Sequence, residues 1–189
     1  MAVVIERKLT LDDFERMIEC GAFDDQDRDV ELVDGEIVIL PPPGIVHDMV
    51  VMAIVRLLLP FADAIGAYVS SSGLGIRAGR NYRQADVSLI LKERLHILHG
   101  HPWWTLGAPD LAIEVLSPRR YGERYARTKV PEYLAAGASL VWLVNPRNRT
   151  VRVFEAGTDE VALHSGDAKI TLDQLAPGFR ASISAFFPE

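Results

Sequence analysis

The sequence predicts an α/β fold of the α+β kind, a mixed central β-sheet flanked by helices, and three observations predict it. Short apolar runs, some alternating and some continuous, recur between turn residues, as strands require. Two helical stretches, from about His47 to Ala64 and from about Tyr121 to Ala136, interrupt those runs. The 189 residues are 49% hydrophobic and 24% charged, which suits one globular domain with a single substantial core.

The elements follow in order. Thr10-Leu11-Asp12-Asp13 reads as an N-cap and an acidic first turn, so a short helix runs to about Cys20 and stops at Gly21. Asp24 to Asp29 is an acidic loop. Val30–Val33 and Glu36–Leu40 flank Asp34-Gly35, the pair that a tight hairpin turn favours, giving an N-terminal β-hairpin. Pro41 to Pro43 and Gly44 end the second strand. The apolar helix after them carries Asp48, Arg56, Pro60 and Asp63 and is read as a buried helix, with no membrane role.

Three strands are expected next: Ala67–Ser72, Gly75–Arg77, and a single run from Gln84 to Leu91. Lys92 to Gly107 reads as a polar and aromatic loop. A strand from Asp110 to Pro118 precedes the second helix, which Gly137 closes as a C′ residue. Leu140–Val144 is a continuous apolar strand, and Thr150–Glu155 with Val161–His164 forms a hairpin. Leu172 to Phe187 turns at Pro177-Gly178 and tucks against the core. The expected organisation is one domain over 1–189: an N-terminal helix and acidic loop (1–29), a core (30–164) and a packed tail (165–189).

Charge is unevenly spread. The net charge is −6, which argues against a general nucleic-acid coat protein. Residues 1–36 hold twelve acids against four bases, whereas 117–129 hold Arg119, Arg120, Arg124, Arg127 and Lys129 against Glu123 alone. Arg77, Arg80 and Arg83 precede Asp86, so arginines flank both carboxylates considered below, where a phosphate backbone needs neutralising. A solvated charged helix face is the alternative. Cys20 is the only cysteine, which excludes an internal disulfide and points to a reducing, cytoplasmic setting. The first ten residues lack the apolar core of a secretory signal.

The residues that carry chemistry are Asp86, Glu114 and Lys129. Both carboxylates lie in apolar strand-like runs, and an isolated buried charge is prohibitively unfavourable, so each needs a solvated face or a partner. A hard divalent cation, Mg²⁺ or Mn²⁺, held by both carboxylates and by the carbonyl of Val115 would provide one. Such an ion polarises a phosphoryl oxygen, and a lysine beside it orients the attacking water or offsets developing charge. Lys129 is fifteen positions beyond Glu114, so it must reach back from the crossover helix. Tyr125, Lys129 and Tyr133 share one helical face. Pro131 is expected to kink that helix or start a second one.

Glu31-Leu32-Val33-Asp34-Gly35-Glu36, His47, Ala85-Asp86-Val87, Pro109 to Pro118, Lys129 to Gly137, Leu140 to Pro146 and Pro177-Gly178-Phe179 together resemble one family. It is the Uma-type restriction-endonuclease-like family, within the PD-(D/E)XK nuclease superfamily. The resemblance implies a restriction-endonuclease-like fold, Asp86 and Glu114 as metal ligands, and Lys129 as the catalytic lysine. Glu31 and His47 match family positions, which implies auxiliary roles near the metal; a hairpin carboxylate and a helix-capping histidine are the alternatives. The superfamily lysine usually stands two residues after the second acid, where this chain has Leu116. Ala85 replaces a proline, and Asn145 stands where the family often has an aspartate.

The expected function is metal-dependent hydrolysis of DNA, with duplex DNA as partner and a homodimer suggested by duplex symmetry and by the aromatic loop. Arg83, Arg119, Arg120, Arg124 and Arg127 are the candidate backbone contacts. The rival reading is a non-catalytic nucleic-acid-binding or interaction module on the same fold. A zinc site from His96, His99 and His101 has no cysteines and no regular helix behind it. His101-Pro102-Trp103-Trp104 could stack bases or seal a core edge. Signature loops of serine hydrolases, P-loop proteins and dinucleotide-binding enzymes are missing.

Overall fold

The computed structural model describes residues 8–24, 29–71, 73–117, 122–159 and 161–188. Helix α1 (Leu11–Glu19) starts at a capping box, in which the Thr10 hydroxyl accepts from the Asp13 amide and the Asp13 carboxylate accepts from Thr10 N. Strands β1 (Val30–Val33) and β2 (Glu36–Ile39) form the hairpin. Asp34 (φ 50°) and Gly35 (φ 80°) both take the positive φ that its two-residue turn requires. Helix α2 (Ile45–Ile65) ends on Gly66 in the left-handed conformation.

The next segment departs from expectation. Strands β3 (Tyr68–Ser71), β4 (Gly75–Ala78), β5 (Asn81–Gln84) and β6 (Val87–Ile90) replace the three expected strands. The run from Gln84 to Leu91 is not one strand: it breaks at Ala85-Asp86, where the chain leaves one sheet and enters another. Its continuous apolar pattern hid that break. Lys92–Leu98 forms a 3₁₀ segment within the expected loop. Strand β7 (Leu111–Val115), helix α3 (Gly122–Ala135), and strands β8 (Leu140–Asn145), β9 (Thr150–Glu155) and β10 (Val161–Ser165) follow. The tail adds a two-stranded ribbon, β11 (Lys169–Thr171) with β12 (Arg180–Ser182), and a 3₁₀ turn at Ile183–Phe186.

The main sheet has the order β10-β9-β8-β7-β6-β3, antiparallel except for β7 beside β8, the two strands that α3 connects. A smaller antiparallel sheet has the order β2-β1-β5-β4. Period-two alternation sorts β7. Leu111, Ile113 and Val115 pack with α2 residues Val50, Ile54 and Leu58, and with the tail's Leu172, Phe179 and Phe186. Ala112 and Leu116 face α3 through Ala126, Val130 and Tyr133. Glu114 shares their parity, so its carboxylate points toward α3. A third cluster, Phe14, Val30, Leu32, Tyr82 and Trp104, seats α1 on the small sheet.

Helix α3 runs as one element from Gly122 to Ala135 through Pro131, so no second helix begins there. A proline lacks only one N–H, and the buried residues Ala126, Lys129, Val130 and Tyr133 anchor the helix on both sides of it.

Candidate active site

The main sheet brings the two carboxylates together. Val87 pairs with Ile113 across β6 and β7, so one step along the register sets Asp86 beside Glu114. The Val115 amide donates to Asp86 Oδ2 at 2.6 Å, and His47 Nε2, in the first turn of α2, lies 3.2 Å from Asp86 Oδ1. Asp86 thus joins the start of α2 to the middle of the main sheet. Burial lowers the His47 pKa, but the bond to Asp86 and its charge outweigh burial and leave it raised.

Lys129 reaches back from α3 to the sheet, and Tyr125 and Tyr133, one turn to either side, join it. Lys129 Nζ donates to Glu114 at 3.1 and 3.2 Å, to the Gln84 carbonyl at 2.8 Å, and meets Glu31 Oε1 at 2.9 Å. An ammonium has three hydrogens, so these partners engage all of them. The Tyr133 hydroxyl donates to Glu114 Oε1 at 2.9 Å. Glu31 is fully buried and accepts from Gln84 N at 3.0 Å, Arg83 Nη1 at 3.0 Å and the Tyr125 hydroxyl. The cluster therefore binds the small sheet, which supplies Glu31, Arg83 and Gln84, to the main sheet and α3.

Charges in this cluster are shared unequally. Burial pushes the Glu114 carboxyl up to about 8 against the pull of Lys129, with Asp86 and Glu31 adding to the rise. Burial also acts to raise Glu31, but Lys129, the Tyr125 hydroxyl and Arg83 overcome it and hold Glu31 below the ordinary carboxylate range. For Lys129 burial acts downward, and Glu114, Glu31 and Asp86 more than reverse it. The cluster therefore favours the ammonium and the Glu31 charge, while burial draws Glu114 toward its protonated form.

These groups sit on the wall of a cavity of about 400 Å³, lined by Asp29, His47, Gln84, Asp86, Glu114, Val115, Tyr125 and Lys129 on its polar side. Val38, Leu40, Pro41, Pro42, Pro43 and Val51 form an apolar side. Asp29 is a cavity residue that the sequence placed only in an acidic loop; burial and the nearby Asp86 charge raise its pKa. Gln84 Oε1 and His47 Nδ1 are buried there without a hydrogen-bond partner among the described residues. Among the described residues no three His, Cys, Asp or Glu side chains converge as a ready-made metal cage.

Other expected site residues scatter. Arg83 is corrected: it is 1% exposed, paired with Glu31 and doubly with Glu132 at 2.6 and 2.8 Å, and so cannot reach a phosphate. Buried guanidinium needs such partners, and Glu132, to which the sequence reading gave no role, accepts two of its four side-chain hydrogen bonds. Arg124 and Arg127 are exposed on α3. Arg119 and Arg120 lie outside the described residues. His101 stacks on Trp104 with ring centroids 3.7 Å apart and pairs with Glu15 at 2.8 Å, while Trp104 is buried against Tyr82. That is a core edge rather than a zinc site or a stacking platform.

A crystal structure of a nuclease of the DUF820 group from Anabaena variabilis, described there as putative, superimposes with a TM-score of 0.78. The match covers 95% of this chain and 97% of that one at 23% identity, a likeness of fold. The fold is that of the restriction-endonuclease-like class. Sequence then decides the family: the family model described as "Uma2: Putative restriction endonuclease" matches residues 11–184, and the chain belongs to that family. No curated protein matches the chain.

Proposed function

We propose that the chain is a metal-dependent endonuclease that hydrolyses phosphodiester bonds in DNA, with Asp86 and Glu114 as its metal ligands. The observation that carries this reading is the cross-strand pair Asp86 and Glu114 on one cavity wall, with Lys129 fixed against Glu114. The donors would suit a hard cation: two carboxylates and the Val115 carbonyl, with the unpartnered Gln84 Oε1 as a further oxygen on the same cavity. Mg²⁺ or Mn²⁺, held by these residues, would supply Lewis-acid polarisation of a phosphoryl oxygen and activation of the attacking water.

The chain's own residues have distinct tasks in this reading. His47 orients the Asp86 carboxylate, and Tyr133 and Lys129 orient that of Glu114. Lys129 also holds positive charge at the wall where negative charge builds on a phosphate. Glu31 positions Lys129 rather than contacting a substrate, since it is completely enclosed. Arg124 and Arg127 on α3 are the available backbone contacts to nucleic acid.

One observation favours the rival non-catalytic module: all three Lys129 hydrogens are engaged, by Glu114, Glu31 and the Gln84 carbonyl. Plasmid cleavage with Mg²⁺ or Mn²⁺ separates the readings, measured beside calorimetric metal binding for wild type, Asp86→Asn and Glu114→Gln. Metal binding and cleavage that are both lost in the folded variants support the nuclease. A folded wild type that neither binds metal nor cuts supports the module.

A further inference from the structure

Helix α2 has apolar residues on both faces. Its inner face is buried on the main sheet, but Ile45, Val46, Met49, Met52 and Leu59 are 82%, 58%, 39%, 47% and 43% exposed. Ile45, Met49, Met52, Arg56, Leu59 and Asp63 succeed one another at steps of four and three, which places them on one stripe of an α-helix. Among the described residues Arg56 makes no ion pair, and Asp48, on the stripe's edge, approaches only His47 at 4.0 Å.

The charges indicate what covers the stripe. By length and composition α2 could cross a membrane, yet a lipid-facing stripe would place Arg56 mid-span with Asp48 and Asp63 beside it, which hydrocarbon opposes. A helix lying on a membrane surface wants a lysine or arginine rim, not two aspartates. A second copy of the chain satisfies the pattern, in one orientation only. Parallel helices about a two-fold axis would set Arg56 against Arg56 and Asp63 against Asp63. Antiparallel helices crossing near Met52 set Asp48 opposite the partner's Arg56, twice, and Ile45 opposite the partner's Leu59, twice.

We infer that two copies of the chain pair through this stripe, α2 against α2, antiparallel about an axis at Met52. The apolar contact spans about 21 Å along each helix, from Ile45 to Leu59 at 1.5 Å per residue. A helix pair alone is smaller than a standard interface of roughly 1,200–2,000 Å², so the pairing is of the weak, concentration-dependent kind. His47, Asp48 and Val51 of the same helix line the cavity, so pairing holds two cavities at a fixed separation. Using those cavities to cut two strands rests on the nuclease reading; the pairing does not.

Light scattering of the full chain between 5 and 200 μM tests the inference against a chain mass of 20.9 kDa. The wild type should approach twice that mass. Met52→Lys, Arg56→Asp and Asp48→Arg should each stay monomeric while keeping the wild-type circular dichroism spectrum. The double variant Asp48→Arg with Arg56→Asp should dimerise again, a rescue that misfolding cannot imitate. A monomeric wild type, a dimer indifferent to Met52→Lys and Arg56→Asp, or wild type that floats with phosphatidylglycerol vesicles instead of dimerising would each overturn the inference. Loss of DNA cleavage with the mass pattern intact would fall on the nuclease reading alone.

Discussion

Replacing Lys129 by methionine removes the cation that Glu31 and Glu114 share and keeps most of the side-chain volume. At a separation near 3 Å and an effective dielectric of 20, the lost attraction to the ionised Glu31 is about 5–6 kcal/mol before desolvation is counted. Taking one partner out of a buried ion pair typically costs about 3–5 kcal/mol net, because the remaining charge stays buried. For a chain of this length that corresponds to a melting temperature lower by roughly 6–20 °C. Dependence on pH makes the cause visible. Glu114 folds with a pKa raised from 4.5 to about 8, so the stability tied to its bound proton is full below 4.5 and is lost as pH rises toward 8. Without Lys129 both carboxylates compete for protons, so the gap between variant and wild type should widen from pH 5 to pH 8. Scanning calorimetry across that range, without added metal, measures it. Adding Glu114→Gln to Lys129→Met should recover part of the loss, and Glu114→Gln alone should flatten the wild-type slope. A deficit that is constant from pH 5 to 8, or under 3 °C at pH 8, would refute the shared-cation account.

The same raised Glu114 pKa sets how metal and pH interact. Because a cation must displace the proton, Mn²⁺ should raise the melting temperature more at pH 8.5 than at pH 6, and the difference should vanish in Glu114→Gln. Arg83→Ala should destabilise by about 3–5 kcal/mol in urea titrations, since it strands Glu31 and Glu132. By contrast, Arg124→Ala and Arg127→Ala should leave stability within about 0.5 kcal/mol. If they touch phosphate, each should reduce the salt slope of DNA affinity by about 1 in fluorescence anisotropy. Added Zn²⁺ should shift the melting temperature of His101→Ala as much as that of wild type, because His101 serves Trp104 and Glu15 and holds no metal.

Much of this arrangement was legible locally. Asp34-Gly35 announces its turn because few residues accept two successive positive φ angles, and spacing of four puts Tyr125, Lys129 and Tyr133 on one face. All three then meet Glu31 or Glu114. The carboxylate parity on β7 also follows from a period of two. What the sequence concealed is non-local. Nothing in Gln84 to Leu91 marks a change of sheet at Asp86, since apolar residues suit either sheet. Arg83 reads as a surface cation until Glu132, 49 residues away, is placed against it. Pro131 suggests a break that packing on both sides of it prevents.

The bonds that build the cavity wall join distant parts of the chain. Tyr125 and Glu31 are 94 residues apart, and Glu31 and Arg83 are 52 apart. No fragment short of α3 can hold the carboxylates, the lysine and the small sheet in register. A chain still emerging from the ribosome therefore has the acids but no assembled cavity. Any reactivity toward nucleic acid, including the messenger being translated a few nanometres away, waits until synthesis has passed the helix that carries Lys129.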